Sequence, residues 1–211
     1  MLKDHLLLDS ARPFSDDTVN TDHGHPEHCL PGVHQSYLWY ALRVSYSREL
    51  KVQTKLQEMG GRTFVPMMWK KRTISGNIEK KLVPAVGNLC FAYWTRQNIE
   101  DFIRGYGEDS PVHFYWDRTA DKPLVVPEKA MEDFMRVAGT MDEDLIYLTE
   151  VSSKLKDGQM VKMTSGPFDG VEGRIVRIRK SRRIMVEIPG MLAVASAYVP
   201  LEKAGCLNIV E

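Results

Sequence analysis

The stretch Val161–Ile178, VKMTSGPFDGVEGRIVRI, constrains this chain most. Apolar side chains alternate at Val161 and Met163, stop, and resume at Val176 and Ile178 before a basic tip, the pattern of a strand, a reversal and a second strand. Between the strands, Gly166, Pro167, Gly170 and Gly173 allow or preset the backbone angles that a ribbon needs where it doubles back, and Phe168 can fold inward among them as an anchor. An ordinary glycine-rich hairpin is the lesser alternative, since loop composition alone is weak evidence and the spacing here is fairly specific. A second hairpin follows. Its tip, Arg177 to Arg183, is strongly basic, and Ile184, Val186 and Ile188 then alternate until Pro189 and Gly190 turn the chain; Val199, Leu201, Leu207 and Ile209 supply the closing strands.

With 211 residues, 43% of them hydrophobic, the chain can bury a sizeable core, and its length suggests about two domains. Lysine plus arginine equals aspartate plus glutamate at 28 each, which argues against a protein coated in positive charge for nonspecific nucleic-acid binding. The balance hides an uneven distribution. Residues 1–37 carry 2 basic and 6 acidic side chains and residues 139–157 carry 2 and 5, whereas residues 38–138 carry 16 and 12 and residues 158–211 carry 8 and 5. Two mildly basic blocks therefore alternate with acidic segments, as expected if tail and linker stay off a polyanion that the blocks approach.

Cys29, Cys90 and Cys206 are too widely spaced for a pairing pattern, so reduced thiols and a cytoplasmic location are expected. The run Leu6-Leu7-Leu8 is too short for a signal-peptide core and no later stretch suits a bilayer span, so no membrane association is expected. Residues 1–36 are acidic, poor in aromatics and broken by Pro13, Pro26 and Pro31, the composition of a disordered tail. His23, His25, His28, Cys29 and His34 lie within or beside the prolines, but their spacing matches no closed metal site, and a histidine-rich polar tail without metal is the reading adopted.

From residue 37 the chain reads as an ordered block to residue 138. Tyr37 to Val44 favours a strand with Leu38, Tyr40 and Leu42 on one face and Trp39, Ala41 and Arg43 on the other. Ser45 or Ser47 can cap a helix running to Met59, with Leu50, Leu56 and Met59 spaced for burial and Arg48, Lys51 and Lys55 sharing a charged face. Arg62 to Pro66 is a second strand. Met67 to Lys81 is a basic hairpin or loop containing Lys70, Lys71, Arg72, Lys80 and Lys81. Leu89, Phe91 and Tyr93 alternate with Cys90, Ala92 and Trp94 in a third strand apolar on both faces, so both should be covered. Helices follow at Asn98–Arg104 and, after Pro127, at Glu128–Ala138, with a strand at Val112–Trp116 between them. Residues 139–157 read as a linker holding one short helix, since Thr140 and Glu143 form a capping-box pattern. The fold class expected is α+β, an α/β sandwich with a mostly antiparallel sheet, followed by a second unit at residues 158–211.

The order Gly-Pro-Phe-x-Gly-x-x-Gly ahead of an apolar strand, at Gly166 to Gly173, resembles the KOW motif, which opens a small SH3-like β-barrel in transcription elongation factors and some ribosomal proteins. The leading block, from Trp39-Tyr40-Ala41-Leu42-Arg43-Val44 through Pro84 and the aromatic strand to the helix after Val126-Pro127, resembles the amino-terminal domain of the NusG family. Leu82-Val83-Pro84-Ala85-Val86 and Pro123-Leu124-Val125-Val126-Pro127 point to specialised paralogues of the UpxY type, antiterminators of capsular-polysaccharide operons.

That resemblance implies a non-catalytic, cofactor-free, monomeric transcription elongation and antitermination factor with an RNA polymerase-binding domain at 37–138 and a KOW barrel at 158–211. Trp39, Tyr40, Leu89, Phe91 and Tyr93 match the pocket for the polymerase clamp helices, so Phe91→Asp or Leu89→Asp is expected to break that contact and leave the fold intact. Arg43, Arg48, Lys51 and Lys55, with Lys70, Lys71 and Arg72, match positions lying towards non-template DNA near the upstream fork. Phe168, Ile184 and the basic tip are candidates for a Rho or small-subunit ribosomal protein contact. The polar patch by which some members reach a second polymerase pincer is not carried over, because Glu100-Asp101-Phe102-Ile103 stands there. A KOW-containing ribosomal or RNA-binding protein is the alternative, which the neutral net charge disfavours. No P-loop, nucleophile elbow or helical metal-ligand pair supports an enzyme, and His113 reads as a strand residue rather than a base.

Overall fold

The structure is a computed structural model that describes residues 36–74, 77–149, 158–178, 180–195 and 207–209. The histidine-rich tail, Cys206, Val199 and Leu201 lie outside the described residues. In chain order the first part comprises β1 (Leu38–Val44), α1 (Glu49–Glu58), β2 (Arg62–Phe64), β3 (Met67–Ile74), β4 (Asn77–Pro84), β5 (Leu89–Trp94), α2 (Arg96–Arg104), β6 (Val112–Phe114), β7 (Trp116–Asp117), β8 (Lys122–Pro123), β9 (Val125–Val126) and α3 (Glu128–Ala138).

An antiparallel sheet in the order β2-β5-β1-β6, with β9 also on β1, carries the core. Its register sets Ala41 opposite Phe91 and Phe64 opposite Phe91, and Leu42 opposite Cys90. Directly paired residues share a face, so alternation sorts the side chains into two apolar layers. Trp39, Ala41, Leu89 and Phe91 pack with Met131, Phe134 and Val137 of α3. Tyr40, Leu42, Val44, Cys90 and Ala92 pack with Val52 and Leu56 of α1 and with Ile99 and Phe102 of α2. The expected double coverage of β5 is thus supplied by the chain's own helices.

The first helix departs from expectation. Tyr46 and Ser47 take positive φ of 64° and 52°, so neither serine caps the helix, which begins after Arg48 without a side-chain cap. The buried stripe is Glu49, Val52 and Leu56, whereas Leu50 and Met59 are exposed. Glu49 is buried because its carboxylate accepts the Asn88 backbone N–H at 2.7 Å, where Asn88 itself turns with a φ of 62°. Thr95 caps α2 by accepting the Asn98 N–H at 3.2 Å, which starts that helix slightly earlier than its apolar spacing suggests.

The second part comprises β10 (Ile146–Leu148), β11 (Met160–Met163), β12 (Glu172–Ile178), β13 (Ser181–Ile188), β14 (Leu192–Ala195) and β15 (Leu207–Ile209). They form one antiparallel sheet in the order β10-β14-β13-β12-β11-β15. Among the described residues this sheet is open, and the expected SH3-like barrel is corrected accordingly. Ile184, Val186, Ile188, Leu192 and Val194 bury one face against α3 residues, so apolar burial does not require the sheet to close on itself. The expected linker helix is also replaced. Ile146–Leu148 pairs with β14 as an edge strand, Thr140 donates to the Val137 carbonyl at the end of α3, and Glu143 turns away to lysines. No helix among the described residues is long and apolar enough to cross a membrane.

Candidate functional site

The aromatic residues singled out by sequence divide between the two faces of the first sheet. Trp39, Leu89, Phe91 and Tyr93 share the face covered by α3, whereas Tyr40 lies on the opposite face against Phe114, 5.5 Å between ring centroids. Burial raises the Tyr40 phenol above its ordinary value. Leu89 and Phe91 are fully buried. Phe91 and Phe64 meet the ring of Phe134 at 5.9 and 6.2 Å, and Phe134 meets Tyr147 of β10 at 6.5 Å. Tyr147 donates its hydroxyl to the Met67 carbonyl at 3.2 Å, and burial pushes its phenol up to about 12. Access to this face remains at its rim, where Tyr37, 54% exposed, stacks near Tyr93 at 5.9 Å. Trp39 lies 5.3 Å from Tyr93, and the Arg62 guanidinium sits over both rings. Such a cluster offers flat apolar surface with one fixed cation. Arg62 and Phe64 escaped sequence reading as site residues; the signal was their cross-strand alignment with Tyr93 and Phe91, which a single strand does not reveal.

The glycine loop between β11 and β12 takes the turn its residues suggest. Gly166 and Gly170 have φ of 81° and 80°, and the Asp169 N–H bonds the Gly166 carbonyl at 3.1 Å. Gly173 serves a different need. A Cβ there would lie 2.7 Å from the Met185 carbonyl oxygen, so glycine permits the close approach of β12 to β13. Pro167 is exposed and Phe168 is half-buried against the apolar layer under α3, while Ile184 is buried in that layer. Lys129, Asp133 and Arg136 hold the loop from α3. Lys129 donates to the Gly170 carbonyl at 3.1 Å, Asp133 accepts the Glu172 N–H at 3.2 Å, and Arg136 donates to the Asp169 carbonyl. Their spacing places all three on one helix face, a legible signal whose partner lay far along the chain.

Residues 37–135 match the family model described as "Transcription termination factor nusG". This supports a NusG-family amino-terminal domain. The match runs from β1 into α3, and the family is one of non-catalytic transcription factors. No curated protein matches the chain. Among solved structures, one described as "Domain interaction in Thermotoga maritima NusG" is 21% identical, with 83% of this chain and 98% of that chain covered and a TM-score of 0.41.

The basic residues of the NusG-matching segment fall into separate groups. Lys51 and Lys55 are exposed on α1 and Arg48 is exposed just ahead of it, on the side of the sheet opposite α3; Arg48 lies over the Tyr46 ring at 5.4 Å and Lys55 over Tyr106 at 4.8 Å. Arg43 is exposed in β1, between Leu89 and His113 of its neighbouring strands. Lys70, Lys71 and Arg72 are exposed on the two-stranded β3–β4 ribbon, away from α1 in sequence.

Cys90, on the α1 side, is buried, and burial pushes its thiol up to about 12, with Glu49 adding to the effect. The thiolate is the reactive form. In a Cys29→Ser/Cys206→Ser variant, labelling of Cys90 at pH 8 is expected to run about a thousandfold slower than that of an unperturbed cysteine. Stopped-flow reaction with a chromogenic disulfide checks this, with full reactivity returning in denaturant. Fast labelling of the native variant contradicts the placement of Cys90.

Proposed function

We propose that this chain is a transcription elongation and antitermination factor that holds RNA polymerase through the α3-side face of its NusG-type segment. The match of residues 37–135 to the NusG model carries this reading. The accessible rim formed by Tyr37, Tyr93 and Arg62, backed by the buried Trp39 ring, supplies the aromatic and arginine anchors that dominate protein interfaces. The buried members, Leu89 and Phe91, shape that rim from below. Arg43, Arg48, Lys51 and Lys55 then face DNA from elsewhere on the segment, and binding that favours one polymerase conformation over a paused one suppresses pausing by shifting populations. Operon-specific action of the UpxY type is the finer form of the proposal, resting on the proline-containing stretches Leu82–Val86 and Pro123–Pro127.

The test is capture of core RNA polymerase by the full chain and by Tyr37→Ala/Tyr93→Ala. The variant is expected to remain folded and to lose roughly 30-fold or more in affinity, the effect of removing a hot spot. Undiminished capture by the variant rejects the rim, and no capture by a folded wild-type chain rejects the reading.

A further inference from the structure

The β3–β4 ribbon, residues 67–84, carries Lys70, Lys71, Arg72, Lys80 and Lys81 against one carboxylate, Glu79. Its register places Lys71 directly opposite Lys80 and Lys70 directly opposite Lys81. Opposed like charges weaken a two-stranded ribbon, so an anion between them relieves a cost already present in the fold. Glu143, from the segment after α3, supplies such an anion: its carboxylate lies 3.2 Å from Lys71 Nζ through one oxygen and accepts from Lys80 through the other. Those two hydrogen bonds, Lys80 first and Lys71 second, hold the carboxyl below its usual range. The same segment is fastened close by, where Tyr147 donates to the Met67 carbonyl at the base of the ribbon and Arg183 donates to the Asp144 carbonyl at 2.7 Å.

Two ammonium groups on adjacent strands with one oxyanion between them also suit a phosphate. Trp69 precedes Lys71 by two positions and so shares its face, and it is 40% exposed, open to stack against a base. We infer that Lys71 and Lys80 form a phosphate site for single-stranded nucleic acid beside the Trp69 ring, and that Glu143 occupies this site in the present structure. Nucleic acid and the Glu143 segment therefore compete for the ribbon. The inference rests on the reading of Lys70, Lys71 and Arg72 as DNA-facing residues and adds the competitor to it.

Anisotropy of a labelled oligothymidylate titrated with the full chain tests both parts at several salt concentrations. Lys71→Ala/Lys80→Ala is expected to weaken binding at least tenfold and to reduce the slope of log affinity against log salt by about 1.4, the loss of two single-strand phosphate contacts. Trp69→Ala is expected to weaken binding roughly fivefold or more through lost stacking. Glu143→Gln is expected to tighten it roughly two- to fivefold, the range of a surface ion pair removed from the competing state. Unchanged binding in the double lysine variant overturns the site and the DNA-facing reading together. Weakened binding there with no gain in Glu143→Gln overturns the competition alone. Absence of binding by both wild type and Glu143→Gln overturns the whole inference, and equal affinity for duplex with no effect of Trp69→Ala overturns its single-strand specificity.

Discussion

Phe91→Asp is expected to abolish cooperative folding of the first sheet. Phe91 has 0% exposure, sits at the centre of β5 between Ala41 and Phe64 in register, and meets Phe134 edge to face at 5.9 Å. Removing a buried phenylalanine ring costs about 3–5 kcal/mol. An unpaired carboxylate in the same place costs several kcal/mol more, or shifts its pKa upward and stays protonated at a similar expense. Against a total stability of about 5–15 kcal/mol for a domain, the native state cannot absorb both. Circular dichroism during urea titration is the direct measurement, with Tyr93→Ala as the partly buried control on the same strand. A Phe91→Asp chain that melts like wild type contradicts the packing of this face. The expectation that the fold survives this substitution is therefore corrected, because the Phe91 side chain lies wholly inside the apolar layer.

That correction marks what alternation can and cannot reveal. The period-two pattern of β1 and β5 assigns side chains to two faces correctly, because the polypeptide geometry enforces it whatever covers each face. It does not say which cover is internal. On β5 both covers come from this chain's own helices, and the accessible part of the α3 side is displaced to a rim that includes Arg62 and Tyr37. The family resemblance groups Tyr40 with Trp39 although alternation separates them, and the structure follows alternation. The glycine loop was legible because positive φ and close approach are properties of glycine itself, as at Gly170 and Gly173. Closure of the second sheet was not, since it depends on where its apolar face is buried. Likewise, Thr140 and Glu143 satisfy a capping pattern in sequence, but local hydrogen bonding lost to strand pairing at Ile146–Leu148 and to the lysines of a ribbon some 60 residues earlier.

Phe134→Ala is expected to lower stability by about 3–5 kcal/mol, and its effect should spread across both sheets. The ring is fully buried and touches Phe64 and Phe91 of the first sheet and Tyr147 of β10, which is the edge strand of the second. The α3 backbone around it carries Met131 and Val137 into the same apolar layer as Ile184, Val186 and Val194. Truncation therefore opens a cavity at the point where the two sheets share their packing, and no single neighbour can fill it without leaving another contact. Amide exchange by mass spectrometry resolves the consequence strand by strand. Protection is expected to fall in β5, in α3 and in β13 and β14 alike, because these elements bury their apolar faces in one layer. Loss confined to β5 and α3, with β13 and β14 as protected as in wild type, shows that the second sheet holds its structure without the packing at Phe134. In that case the polar contacts of Lys129, Asp133 and Arg136 to the glycine loop are insufficient to couple the two, since they remain available in the variant.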